Sequence, residues 1–352
     1  MPFIKENCTL CGDCFTKCQY LQLDVDSAKK EINNLMEGKD SFVLTDCTTC
    51  YACNEYCTAG ANPFDLIASL QEEKDSLGTL ENAKKMLENQ FQPYESSKKV
   101  EIKEPFMNAC AFIKSHTETF KSKLFEGVDV LGGRNFFCNL LYFHTGQYSI
   151  VEKRARIIVD NIAKLGVKEV ICFHDECYAF YTRYVPEYGI DLPFKPIHIF
   201  EYMVNYFKKN PDGFKPLNLK VAYQRSCSTR LTPEKDKYLA ELLEILGVTR
   251  VEREFDNENA LCCQAPGLQL AGAVDPEKVP REKVKERKKQ AKERQKSNIE
   301  DAVNAGADAM LFVCQMCEET LGKKARKAGL VPVFITDLGR MALGEIELQK
   351  PE

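Results

Sequence analysis

What this 352-residue chain lacks closes several classes of function at once. It has no charge imbalance of consequence: 48 Lys and Arg face 52 Asp and Glu, a formal net charge of −4, so no overall field recommends nucleic acid or an anionic membrane as a partner. Long apolar runs are missing too. Stretches such as AMLFVC, Ala309 to Cys314, fall far short of the roughly 20 residues that a membrane-spanning helix needs. Neither GxGxxG nor GxxxxGKS occurs, which argues against a flavin or nucleotide held by those loops. The opening MPFIKENCTLCG has no apolar signal core and reaches a cysteine at position 8, so the expected location is the cytoplasm.

What is abundant is cysteine, with seventeen residues. A disulfide framework belongs to short secreted chains that cannot build a core, and metal or redox chemistry is the better default for a chain of this length. Eight cysteines stand at 8, 11, 14 and 18 and at 47, 50, 53 and 57, each set reading CxxCxxCxxxC. This is the spacing of a two-cluster ferredoxin, in which three cysteines of one run and the fourth of the other hold each 4Fe-4S cube. CxxCxxC wraps a tight loop whose amide N–H groups face the sulfides. The pattern assigns Cys8, Cys11, Cys14 and Cys57 to one cluster, and Cys47, Cys50, Cys53 and Cys18 to the other. Zinc ribbons are the weaker alternative. The proline usual after the fourth cysteine is missing, since Gln19 and Thr58 stand there and Pro63 comes only later. Between the runs, Ala28, Ile32, Leu35 and Met36 recur at helical spacing before Gly38. This part resembles the α-helical ferredoxin of the iron–sulfur subunits of succinate dehydrogenase and heterodisulfide reductase. Residues 71–91 are expected to continue as helix, and the polar, proline-containing stretch 92–105 as a linker.

The remaining chain reads as one module written twice. In the second copy, the expected strand LKVAYQRSC ends at Cys227, the helix PEKDKYLAELLEILG follows, and the paired Cys262 and Cys263 come next. A long basic helix, the strand ADAMLFVC, the pair Cys314 and Cys317, a further helix and the strand VPVFITDL complete it. The first copy runs more loosely: PFMNAC to Cys110, FFCN with Phe137 and Cys138, a helix IVEKRARIIVDNIAKLG, the strand KEVICF, then His174 and Cys177 in HxxC spacing, and the strand KPIHIFEYM. Alternating strands and helices indicate an α/β layer with parallel strands. Adjacent cysteines cannot easily bridge to each other, because a disulfide wants Cα atoms about 5.5–6 Å apart and neighbours sit about 3.8 Å apart. The Cys262–Cys263 pair therefore points to a metal group.

Cys227, then 34 residues, Cys262 and Cys263, then 50 residues, then Cys314-x-x-Cys317, resembles the CCG signature of the heterodisulfide reductase family, with its B and D subunits. The family places two such modules in tandem, and members of the D type carry a ferredoxin-like segment ahead of them. The fold this implies is α+β and α/β: an N-terminal α-helical two-cluster ferredoxin domain over 1–91, a linker over 92–105, a degenerate first CCG module over 106–216 and an intact second CCG module over 217–352. Two departures stand out. Gln264 occupies the motif's glycine, and the 50-residue gap exceeds the family's usual length. The excess falls in Asp275 to Lys296, where ten basic residues face five acids, a segment expected to be a solvated helix face rather than a docking face for an acidic partner.

The resemblance implies a noncubane 4Fe-4S cluster on Cys227, Cys262, Cys263, Cys314 and Cys317. A tetrahedral zinc site needs four ligands and would leave one of these five over. In the first copy Phe137 replaces one cysteine of the pair and His174 one of the CxxC, leaving Cys110, Cys138, His174 and Cys177 as a set for zinc, for an ordinary cluster, or for no metal at all. Cys172 is expected to be a buried apolar residue, and His116, His144 and His198 to fill structural roles. The function implied is an iron–sulfur oxidoreductase that passes electrons through two 4Fe-4S clusters to the noncubane cluster, acting on a disulfide or thiol substrate. Its partners would be other redox proteins, a flavoprotein or another iron–sulfur protein. The alternative is a non-catalytic electron-transfer subunit between a flavoprotein dehydrogenase and a quinone or membrane partner, and a redox-sensing scaffold stands third.

Overall fold

The computed structural model describes residues 2–95, 102, 104–110, 117–270 and 273–349; His116 and most of the expected linker lie outside them. Up to Phe91 the described secondary structure is helical: Asp13–Thr16, Val25–Met36, Val43–Asp46, Ala52–Tyr56, Pro63–Glu73 and Glu81–Phe91 follow a short 3-10 turn. Asp24 caps the second of these, accepting from the Ser27 N–H at 2.9 Å, and Gly38 lies just beyond its end at φ +66°. Ala28, Ile32 and Leu35 are buried against Phe15, Val43 and Ile67, as the helical spacing requires, and Met36 is half-buried.

The helix expected across 71–91 is broken. One helix stops at Glu73 and the next starts at Glu81. Between them Thr79 forms an antiparallel bridge with Val274, Leu80 N–H donates to the Ala273 carbonyl and Asp275 N–H to that of Gly78, both at 2.7 Å. Backbone partners two hundred residues away thus replace the local helical bonds. At the start of the expected linker, Tyr94 is tied down by Asn135 and Asn161, each at 3.0 Å.

Two four-stranded parallel sheets follow. The first contains β1 (Phe106–Asn108), β2 (Asp129–Leu131), β3 (Glu169–Cys172) and β4 (Lys195–His198), in the order β2-β1-β3-β4. The second contains β5 (Leu219–Gln224), β6 (Val248–Arg250), β7 (Ala309–Phe312) and β8 (Val331–Phe334), in the order β6-β5-β7-β8. The two orders are the same, so the repeat seen in the cysteines is also a repeat of topology. Strands β5, β7 and β8 are almost continuously buried, as expected where helices cover both faces of a parallel sheet. β2 and β6 were not anticipated: each has three residues, lies at a sheet edge and mixes polar with apolar side chains, too little for a period-2 signal.

The basic segment also differs from expectation. It forms the helix Arg281–Asn304, and one side packs on the N-terminal helices instead of facing solvent throughout. Lys283 pairs with Asp46 at 2.5 Å, Arg287 donates to the Thr45 carbonyl, and Arg294 lies over the Tyr20 ring at 4.6 Å. Lys285, Lys289, Lys292 and Lys296 are exposed on the other side.

Gly247, between the Asp236–Ile245 helix and β6, has φ +64°, and a Cβ there would come within 2.9 Å of Pro216 Cβ. Gly247→Ala should cost at least about 1–2 kcal/mol from the left-handed conformation alone, read as a lowered urea midpoint. An unchanged midpoint would contradict the close approach.

Candidate metal centre

The two CxxCxxC loops trace the same backbone. Leu10 and Gly12 have φ +58° and +83°, and Thr49 and Tyr51, at the equivalent positions, +54° and +62°. Left-handed residues at alternate positions turn successive N–H groups toward one concave side. Thr49 N–H approaches Cys47 Sγ at 3.3 Å and Ala61 N–H approaches Cys57 Sγ at 3.3 Å. Burial pushes the Cys14 thiol up, and Cys11, Cys57 and Cys8 push it further, which puts these four side by side. Cys53 is raised first by burial and then by Cys47, Cys14, Cys50 and Cys18. The fourth cysteine of each run therefore acts electrostatically on a cysteine of the other run's triplet. Cys11 is exposed and Cys50 is buried, so the first set faces solvent and the second faces inward.

In the second module, Cys227, Cys262, Cys263, Cys314 and Cys317 all follow the C-terminal ends of parallel strands, where ligands collect in open α/β sheets. Their sulfurs form one connected chain. Cys227 and Cys263 hydrogen-bond to Cys262 and hold its thiol well below the ordinary range. Cys317 contacts both Cys263 and Cys314 and is raised in turn. Gln264 sits at φ +65°, which explains the glycine expected there, and its N–H points at Cys262 Sγ, 3.3 Å away. Tyr20 closes the loop from the other side, its hydroxyl accepting from Cys262 N–H at 2.7 Å. Cys50, Cys262 and Cys227 share one apolar cluster with Tyr20 and Tyr56. The inward-facing set of the first segment thus abuts the five-cysteine set directly. Burial pushes the Cys50 thiol up to about 11 against the pull of the Arg230 cation.

The first module keeps three of its four expected ligands together. Cys110, Cys138 and Cys177 bring their sulfurs within 4.8 Å of one another, and against burial the other two hold Cys110 well below the usual thiol range. Asn139 repeats the φ +65° of Gln264, so the FCN and CCQ loops have the same turn. His174 does not join the trio. Its imidazole interacts with Cys314 of the other module, whose charge raises it to about 10 although burial opposes its charging. Glu176 lies between two histidines, 3.8 Å from His174 and 3.9 Å from His144, and burial pushes its carboxyl up to about 7. His144 touches Thr49 Oγ1 at 2.7 Å, burial takes it down to about 4, and it feels the charge of Cys262. Sequence reasoning assigned His144 only a structural role; its place beside the site comes from the tertiary fold. Cys172 is fully buried, and His198 is satisfied by Asp175 at 2.9 Å and Phe200 N–H at 3.2 Å.

Two carboxylates fasten these parts, Asp175 buried and Glu55 half-buried, and neither was singled out in the sequence. Glu55 takes Arg225 at 2.6 Å and Arg230 at 2.8 Å. Asp175 accepts from Ser226 and, at 2.8 Å, from Thr229 Oγ1, and lies 3.3 Å from the Lys235 ammonium. The available signal was QRSCSTR itself, with two arginines and three hydroxyls crowded around one cysteine.

A cavity of about 320 Å³ opens between the second CxxCxxC loop, the CCQ loop and the basic helix, with Tyr20, Cys47, His144, Gln264 and Arg294 among its walls.

The paired loops and parallel sheets define a cysteine-rich protein with a repeated α/β module, and residues 221–322 match the cysteine-rich domain family CCG. The D subunit of dihydromethanophenazine:CoB--CoM heterodisulfide reductase from Methanosarcina mazei is 25% identical over 344 residues, covering 89% of this chain and 80% of that protein. The same-named protein of Methanosarcina acetivorans is 25% identical over 346 residues with the same coverage. The chain is thus similar to these heterodisulfide reductase D subunits over most of its length. A crystal structure of a hypothetical protein from Helicobacter pylori matches in fold, with a TM-score of 0.55 at 11% identity over 82% of this chain, which spans 59% of that one. No helix among the described residues is long and apolar enough to cross a membrane.

Removing Asp175 leaves the Lys235 cation buried with neutral acceptors only. Asp175→Ala should cost about 3–5 kcal/mol, read by urea denaturation, and adding Lys235→Met should recover part of it. A single variant as stable as the parent would show that the pair fastens nothing.

Proposed function

We propose that this chain is the disulfide-reducing iron–sulfur component of an oxidoreductase, with residues 1–91 carrying electrons to a reaction site in the 217–352 module and residues 106–216 closing it. The observation that carries this reading is the shared apolar cluster of Cys50, Cys262 and Cys227, which leaves no protein layer between the inward-facing ferredoxin-type set and the five-cysteine set. Cys8, Cys11, Cys14 and Cys57 would hold one 4Fe-4S cluster, Cys18, Cys47, Cys50 and Cys53 a second, and Cys227, Cys262, Cys263, Cys314 and Cys317 a noncubane one. When bound, these groups supply one-electron storage and a metal that takes a substrate sulfur.

The donor sets fit such groups. Cys14, Cys53 and Cys317 are raised by the thiols around them, and a soft cation among such sulfurs would favour their thiolate forms. The tighter spacing of Cys110, Cys138 and Cys177 suits a single zinc ion, because sulfurs about 2.3 Å from one metal lie close together. The chain's own residues do the rest. Backbone N–H groups of Thr49, Ala61 and Gln264 stabilise charge on sulfur, Tyr20 and the apolar cluster exclude water, and Arg230 offsets negative charge at Cys50. The relatives' name specifies a CoB–CoM heterodisulfide; for this chain the corresponding class is a disulfide, which takes two electrons and two protons and leaves as two thiols. The electrons come from a redox partner, a flavoprotein or another iron–sulfur protein, docking near the exposed Cys11.

Chain purified without oxygen should carry about twelve irons and about one zinc. Cys262→Ser should remove about four irons, and oxidised wild-type protein should show an electron paramagnetic resonance signal that changes when a thiol is added. Unaltered iron in Cys262→Ser would refute the ligand set. A full set of iron with a thiol-insensitive signal would instead favour the relay role between a flavoprotein and a quinone.

A further inference from the structure

Tyr20 joins the two cysteine sets that abut each other. It follows Cys18 of the second ferredoxin-type set by two residues, and its hydroxyl accepts from Cys262 N–H at 2.7 Å. Its neighbour Gln19 donates to the Asn259 carbonyl at 2.6 Å. Arg294 donates to the Tyr20 carbonyl at 3.4 Å, and its guanidinium lies 4.6 Å from the centre of the ring. Contacts with the second module thus fix Tyr20 at its backbone, its ring and its hydroxyl.

The accepted bond leaves the hydroxyl with a proton of its own to place. Tyr56, the other tyrosine of the Cys50–Cys262 cluster, gives its proton to the Glu258 carbonyl at 3.1 Å. Among the described residues the Tyr20 O–H meets no such acceptor. Burial, and then the charges of Cys262 and Cys50, hold the phenol well above its usual range, so the oxygen keeps its proton. The Arg294 cation over the ring draws density from the phenol and strengthens it as a donor. A hydroxyl fixed in an apolar cluster beside two sulfurs, with its proton unspent, is placed to donate to sulfur.

We infer that Tyr20 is a positioning residue for electron transfer between the two sets: its hydroxyl donates to a sulfur at Cys262, of the residue itself or of the group it holds, and so raises the reduction potential on that side relative to the set of Cys18, Cys47, Cys50 and Cys53. Reduction adds negative charge, and a hydrogen bond to sulfur stabilises the more negative form. The bond therefore favours passage of an electron toward Cys262, and Tyr20 keeps its proton throughout. The inference rests on the metal assignment proposed above and adds to it the residue that biases the electron's direction. Because the Cys262 N–H fixes the oxygen, Tyr20 also ties the movement of the CCQ loop to the segment that carries Cys18.

The test is a redox titration of the anaerobically purified full-length chain followed by electron paramagnetic resonance, with Cys262→Ser identifying the signal that belongs to the Cys262 set. Tyr20→Phe keeps the ring and should keep the iron. It should disfavour the electron on the Cys262 set about tenfold, as for one hydrogen bond to a charged group, which is a fall of about 59 mV for a one-electron couple, and the other signals should move less. A ring-fluorinated tyrosine in place of Tyr20, a stronger donor of nearly the same shape, should move the potential the opposite way, which loss of a merely structural contact would not do. Electron nuclear double resonance in deuterated buffer should show an exchangeable proton coupled to that signal in the wild type and missing from Tyr20→Phe. A potential unmoved in the fluorinated protein, or an equal shift of every signal in Tyr20→Phe, would overturn the inference even if the phenylalanine variant lost iron. Shifts of the expected signs with a thiol-insensitive spectrum would keep the hydrogen bond and overturn the disulfide chemistry. A thiol-sensitive spectrum with a potential indifferent to Tyr20 would do the reverse, and no signal lost in Cys262→Ser would overturn both.

Discussion

The loop around Cys227 is where the chain is fastened together. Glu55 reaches it from the N-terminal helices and Asp175 from the first module, and their partners, Arg225, Ser226, Thr229, Arg230 and Lys235, all lie within eleven residues of sequence. Buried ion pairs such as Asp175–Lys235 contribute little net stability over apolar packing, but breaking one leaves an uncompensated charge. They therefore act as position-setters. With both carboxylates seated, Cys50 has one place relative to Cys227 and Cys262, and His174 one place relative to Cys314. The spacing of the two cysteine sets is set by two acids that touch no sulfur.

Duplication explains both the likeness and the divergence of the two modules. The sheets share one strand order, and Asn139 and Gln264 hold the same left-handed turn. Phe137 fills the place of one cysteine and packs in the apolar core, while the remaining thiols draw within 4.8 Å. His174, which occupies a ligand position by spacing, reaches instead across the module boundary to Cys314. The first module has thereby changed from a second copy of the site to part of the wall of the other.

How much of this was legible depended on how local each signal was. The CxxCxxC loops, the capped helix from Val25 and the apolar strands β5, β7 and β8 are each specified by their own residues, and they read clearly. The edge strands β2 and β6 are too short to show a period. The break at 74–80 could not be read because it is made by Ala273 and Asp275, which override a helical pattern from far along the chain. The basic helix looked like a solvated face because its composition is polar all round, whereas Asp46, Thr45 and Tyr20 decide which side is covered. Cysteine spacing supplied the ligand candidates, but partners such as Glu55, Asp175, Glu176 and His144 announce themselves only once the chain has folded.

The overall charge of −4 conceals a local arrangement of opposite sign. The N-terminal segment brings eight thiols to its two sites, and in the fold the cations beside them come from elsewhere. Arg230 lowers the cost of charge at Cys50 and Cys18, and Arg294 acts on Cys18 as well. Both belong to the far half of the chain, one flanking Cys227 and the other on the basic helix. In a dry interior a thiolate without a nearby cation is expensive, so Cys18 and Cys50 depend on the second module for the cations that favour their charge. The long gap after Cys263 then has a physical reason: the additional residues extend a helix that carries positive charge back to the segment whose sulfurs need it.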